Sequence, residues 1–194
     1  MEDKDIKDIE DIKDIEDIKD IEDILETLKT RRSVRSYKSD PVPEELISRV
    51  VEAGLFAPTG MNRQATILLV LTDPDAVRTL GKVNGAIMGH EGMDAFYGAP
   101  AVICVLAKKD DPTAIFDGSA AITNMLNEAA SLGLGSCWIH RGKEQFETKE
   151  GREILTRAGI DPDTVVGIDS AVLGFPAVEN PAAAPRKEGR VYRV

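Results

Sequence analysis

The chain has 194 residues and a formal net charge of −10, with 42% hydrophobic and 30% charged residues, a globular balance long enough for one domain with a core. The acidity is concentrated: residues 1–24 hold twelve acids and four lysines, while the rest hold twenty-two acids and twenty basic residues. A nearly neutral body excludes a broad electrostatic footprint for nucleic acid, and no apolar run reaches the ~20 residues of a membrane span.

The acid-rich N-terminus is neither a secretory signal nor a transit peptide. Residues 5–24 alternate Asp-Ile-Lys and Asp-Ile-Glu, with isoleucine at every third position from Ile6 to Ile24. On a helix such a stripe slips about 60° per step and circles the axis in about eighteen residues. That is neither a coiled-coil seam nor a strand alternation. Pairs such as Asp3 with Lys7 suit a charged, isolated helix; disorder and a partner-docking arm are the alternatives. Residues 1–24 therefore read as a leader, and 25–194 as the folded domain.

A short helix over Leu25–Arg31 leads into RRSVRSY. Pro43 at a first helical position, two acids behind it, and Leu46, Ile47, Val50, Val51 and Leu55 at helical spacing predict the next helix. Ala65–Thr72 reads as a buried strand and Asp73–Gly89 as a helix, followed by a buried strand over Pro100–Leu106 (PAVICVL). Phe116–Leu132 is a long helix with a small-residue face, Ser136–Ile139 a short strand, Glu144–Ala158 a charged helix and Val165–Phe175 a fourth strand. A proline- and alanine-rich arm, 176–194, ends in Val191, Tyr192 and Val194, which suggest a short strand reaching for a partner subunit. Buried strands among helices imply a sheet covered on both faces, and the irregular connections favour α+β over a Rossmann fold.

Several stretches carry candidate chemistry. Arg31, Arg32, Ser33 and Arg35 can hold a phosphate through bidentate guanidinium contacts; a solvated charge run is the alternative. The loop Pro58-Thr59-Gly60-Met61-Asn62-Arg63-Gln64 offers amides and a hydroxyl that suit a heterocycle edge or sugar chain, or it is an ordinary turn. Gly133 and Gly135 follow a helix and precede a strand, the reverse of a dinucleotide fingerprint. Trp138 is a core anchor or the wall of a flat pocket. His90 and His140 lack metal-ligand spacing. Arg186 and Lys187, with Arg190, form a late basic cluster that is either solvated or a second grip on the same phosphate. Cys104 and Cys137 sit in apolar surroundings and read as buried thiols of a reducing, cytoplasmic protein.

Taken together, RRSVRSY, PVPEELISRVVEAGLFAPTGMNRQ, GAPAVICVL, DGSAAITNMLNEAASLGLGSCWIH, VLGF and PRKEGRVYRV resemble, in order, the FMN-dependent nitroreductase family. The resemblance implies a three-layer α/β/α sandwich around a mainly antiparallel sheet. It implies a homodimer with FMN at the interface and an exchanged C-terminal arm. Arg31, Arg32, Ser33 and Arg35 would grip the FMN phosphate, with Arg186 and Lys187 closing over it and Arg190 as an alternative. Pro58, Thr59, Gly60, Asn62 and Gln64 would approach the flavin of the other subunit. The family pattern has Ser where this chain has Thr59, and Pro where it has Ala65. Trp138, Ile139, His140 and Arg141 would run along the flavin ring. The implied reaction is ping-pong, NAD(P)H reducing FMN and a nitroaromatic, quinone or similar acceptor taking the electrons. FMN would carry the chemistry, and no side chain is singled out as an acid or base. A flavin-binding module without turnover, and other reactions of the fold such as dehalogenation, are the alternatives.

Overall fold

The computed structural model describes residues 18–194, with side chains from residue 24 onward. The reading of residues 1–17 as a charged helix lies outside the described residues. The first described helix, α1 (Ile18–Thr30), begins inside the repeat rather than at Leu25.

Four strands form one antiparallel sheet: β1 (Thr66–Leu71), β2 (Ala101–Lys108), β3 (Gly135–Ile139) and β4 (Val165–Gly174), in the order β1-β2-β4-β3. Strand β2 explains the unbroken apolar run. Its side chains alternate between two cores, Val102, Cys104 and Leu106 on one face and Ala101, Ile103, Val105 and Ala107 on the other. A strand buried on both faces has no polar side to show.

The first core is closed by α3 (Pro74–Ile87), α5 (Gly142–Glu147) and α6 (Lys149–Arg157). The second is closed by α2 (Glu44–Leu55) and α4 (Ala114–Ser131). The result is the three-layer α/β/α sandwich that the resemblance implied. Pro43 stands one place earlier than expected, as the N-cap of α2. In α4 the small residues Gly118, Ala121 and Ala129 are buried within this chain's own core, at helical spacing with Ile122, Met125 and Leu126.

Two expectations are corrected. The charged helix over Glu144–Ala158 is two helices, broken at Thr148, whose extended backbone ends α5 and whose side chain caps α6 by accepting from Gly151 N. The tail forms no strand: residues 178–194 are exposed, Tyr192 at 86%. That strand was expected to reach a partner subunit, and within the single chain the segment pairs with no strand.

The segment after α1 extends the sheet. Ser33 bridges Ser136 in parallel, and Val34 N donates to Ser136 O at 2.9 Å. Beyond it Tyr37 pairs with Pro176, Lys38 N donates to Phe175 O, and Ala177 N donates to Ser36 O. The arginine cluster is thereby laid against the edge strand β3.

Candidate functional site

Arg31 follows the last turn of α1, its amide donating to Thr27 O at 2.9 Å. Its Nη1 is buried and has no hydrogen-bond partner among the described residues. A buried charged donor without an acceptor is costly, so this atom marks where an anion would be held. Arg32 differs: Nη1 donates to Lys29 O and Arg31 O at 2.7 and 2.6 Å, and Nε to Pro181 O at 3.2 Å. Much of its guanidinium is thus committed to the main chain, where it tethers the start of the tail. Ser33 and Arg35 are exposed, and the Arg35 guanidinium lies over the Tyr97 ring at 5.9 Å.

Arg31, Ser33 and Arg35 face one point of β3. Burial pushes the Cys137 thiol above its ordinary value, while the Arg35 charge, the Ser33 hydroxyl and the Arg31 charge pull it down. A cavity of about 210 Å³ opens beside Arg31 and Arg32, lined also by Gly133, Leu134, Pro176 and Asn180. Both cysteines are free and buried, and burial pushes the Cys104 thiol up to about 12.

Strand β3 spans about 17 Å from this end to His140. At its far end the β4 register slips: Val105 pairs with Asp169 but Leu106 with Gly167, leaving Ile168 as an extra residue. Such a bulge re-aims neighbouring side chains. Here Asp169 turns toward β3 and collects three donors. Trp138 Nε1 donates at 2.7 Å, His140 Nδ1 lies at 2.9 and 3.1 Å from the two oxygens, and Gly142 N donates at 3.4 Å. His140 O accepts from the buried Asn84 Nδ2 at 2.9 Å. Arg141 follows in the left-handed conformation at φ 80°. Trp138 is therefore a half-buried wall tied to Asp169, with Ile139 buried in the first core.

The loop Pro58–Gln64 is built on the opposite side of α4's first turns. Gly60 N donates to both Asp117 oxygens at 3.1 Å, and Arg63 pairs with Asp111 at 3.1 Å and donates to Thr113 Oγ1 at 2.7 Å. Thr59 Oγ1 accepts from Gln64 N, and Asn62 Oδ1 from Gln64 Nε2. Met61, Asn62 and Gln64 all have positive φ, a conformation that costs L residues energy and concentrates at functional loops.

The structure thus brings Arg31, Ser33, Arg35, Trp138 and His140 together along β3. It does not bring the loop to the arginines. The loop is anchored at Asp117 and the arginine cavity reaches Ala130, about 20 Å apart along α4. Arg186, Lys187 and Arg190 are exposed on the tail and make no hydrogen bond or ion pair among the described residues. The sequence reading missed Asp169, Asn84, Asp111 and Asp117. The available signal was an acid inside the apolar run VVGIDSAVLGF, which a buried strand tolerates only with partners. No helix among the described residues is long and apolar enough to cross a membrane.

The model of the nitroreductase family matches residues 28–168. An Archaeoglobus fulgidus protein provisionally named NADH dehydrogenase/NAD(P)H nitroreductase is 30% identical over 148 residues, covering 74% of this chain and 79% of the relative. A crystal structure of a nitroreductase with bound FMN from Bacteroides fragilis superposes with a TM-score of 0.80 at 28% identity, covering 88% of this chain and 98% of that one. A nitroreductase with bound FMN from Desulfitobacterium hafniense gives 0.76 at 25% identity, with the same coverages.

Proposed function

The chain belongs to the nitroreductase family, and from that premise we propose that it is an FMN-dependent oxidoreductase taking electrons from NAD(P)H and passing them to a nitroaromatic, quinone or similar acceptor. The observation that carries the reading is the buried, unpartnered Nη1 of Arg31 beside β3. Arg31, Ser33 and Arg35 would hold the FMN phosphate, each charge-assisted bond contributing roughly 1.5–3 kcal/mol. Trp138, Ile139, His140 and Arg141 would lie along the ring. When bound, FMN supplies two-electron redox chemistry, accepting from the nicotinamide and delivering to the acceptor in separate half-reactions.

The protein's part is position. Val34 N–H and Ser136 O fix the arginine segment to β3, and Asn84 holds the His140 carbonyl. The loop Pro58, Thr59, Gly60, Asn62 and Gln64 stands about 20 Å along α4 from the same chain's arginines, and the family resemblance has this loop approach the flavin of the other subunit. We therefore assign a homodimer, with Arg186 and Lys187 on the free arm closing the phosphate end. Exposed Leu55 and Phe56 supply apolar surface for such an interface.

Steady-state kinetics of the FMN-loaded protein test the reaction order. With NAD(P)H and a quinone varied together, double-reciprocal plots should be parallel. Lines that intersect would exclude departure of the nicotinamide product before the acceptor binds.

A further inference from the structure

Resting on the oxidoreductase reading above, we propose that His140 is the proton donor to the electron acceptor, with Asp169 as its positioning residue. The two sit in opposite environments: the His140 side chain is 76% exposed and that of Asp169 is 9% exposed. Exposure and burial are joined by the hydrogen bond at 2.9 Å. A carboxylate that already receives an indole N–H and a backbone N–H acts as an acceptor, so the Nδ1 facing it carries the hydrogen. The hydrogen on Nδ1 is therefore held against Asp169, and Nε2 is the nitrogen left to exchange a proton with a ligand. Nε2 has no hydrogen-bond partner among the described residues.

His140 fronts a cavity of about 470 Å³ lined also by Asp111, Ile115, Phe116, Lys143 and Ile168. The volume suits a small aromatic ligand. Ile115, Phe116 and Ile168 give it an apolar side that suits a planar ring; Lys109, Arg141, Lys143 and Glu144 stand around the rest, and Asp111 is paired with Arg63. A quinone is the acceptor class whose chemistry uses this arrangement. Its reduction needs two electrons and two protons. With FMN bound, the cofactor would supply a hydride, that is both electrons and one proton, and the quinone monoanion so formed would take its second proton from Nε2, giving the hydroquinone and a neutral imidazole. Being exposed, the imidazole recovers its proton from water. The dyad is built by the same bulge at Ile168 that turns Asp169 toward β3, and Gly142 beside it admits no side chain: a Cβ there would lie 2.6 Å from Asp169 N.

The experiment compares wild type with His140→Gln, both loaded with FMN and reduced by NAD(P)H. The reduced forms are mixed with benzoquinone and, separately, with ferricyanide, which takes one electron and no proton. The ratio of quinone rate to ferricyanide rate should fall at least tenfold in the variant. A ratio within twofold of wild type overturns the inference and leaves the proposed function standing. Failure of wild type to bind FMN, or to be reduced by either nicotinamide, overturns both. A second readout uses the ring itself: ¹⁵N spectra of the cofactor-free protein should show neutral His140 as the Nδ1–H tautomer, and Asp169→Asn should reduce that population. A wild-type imidazole protonated mainly at Nε2 in its neutral form would overturn the positioning role of Asp169.

Discussion

Arg31 stands where α1 ends and the chain turns to run beside β3, with Nη1 buried and unpartnered. Arg32, one residue on, gives Nε and Nη1 to main-chain carbonyls. The two arginines are adjacent in sequence but not equivalent in chemistry. Arg31→Ala should weaken FMN binding more than tenfold, about 1.4 kcal/mol or more, in a fluorescence titration of the cofactor-free protein. Arg32→Ala should have the smaller effect on affinity and should loosen the tail at Pro181. Equal losses in the two variants, or no loss at Arg31, would contradict this division. The clustering of Arg31 and Arg32 was legible as a motif, but their inequality was not. It depends on how α1 ends, which places carbonyls within reach of one guanidinium only.

The elements carry the site through their ends. The turn before helix α4 and its first turn bind the Pro58–Gln64 loop through Asp111, Thr113 and Asp117. Burial works against the Asp111 carboxylate, but hydrogen bonds from Thr113 N–H and Arg63, with the arginine's charge, outweigh it and hold it below the ordinary carboxylate range. A depressed folded value gives stability that is present above the unfolded value of about 4 and is lost as pH falls through the lower folded one. Asp111→Asn should therefore destabilise the protein at neutral pH, and the difference should shrink in urea unfolding below about pH 4. A difference that stays constant with pH would contradict the role given to Arg63. At the other side, Gly142 and Gly167 let α5 lie directly on β4: a Cβ on Gly167 would fall 2.1 Å from Gly142 O. Gly167→Ala should cost about 1–3 kcal/mol through overpacking, read from denaturant midpoints, and a neutral result would show that the contact relaxes freely. Strand β2 was legible because burial on both faces leaves an unbroken apolar run. Asp169 was legible only as an acid in an apolar run, because the direction it turns depends on a one-residue register slip that alternation cannot reveal. The break at Thr148 was legible in principle: a threonine three residues before Gly151 is an N-cap signal inside an otherwise continuous charged stretch.

At the scale of the whole molecule, the sandwich separates two groups of residues that the proposed function assigns to one FMN site. The arginines and the Trp138–Arg141 stretch share one edge strand, while the strained loop stands at the far end of α4 and the basic tail lies free. Paired copies of the chain would unite all four, and the proposed FMN site would then be a property of the assembly as well as of Arg31. The most direct test of the central claim is an anaerobic visible absorption spectrum of the FMN-supplied protein, taken before and after NADH or NADPH and again after a nitroaromatic acceptor. The expected result is a flavin band that bleaches with the nicotinamide and returns with the acceptor. A protein that retains no flavin band, or a band that ignores both nicotinamides, would contradict it.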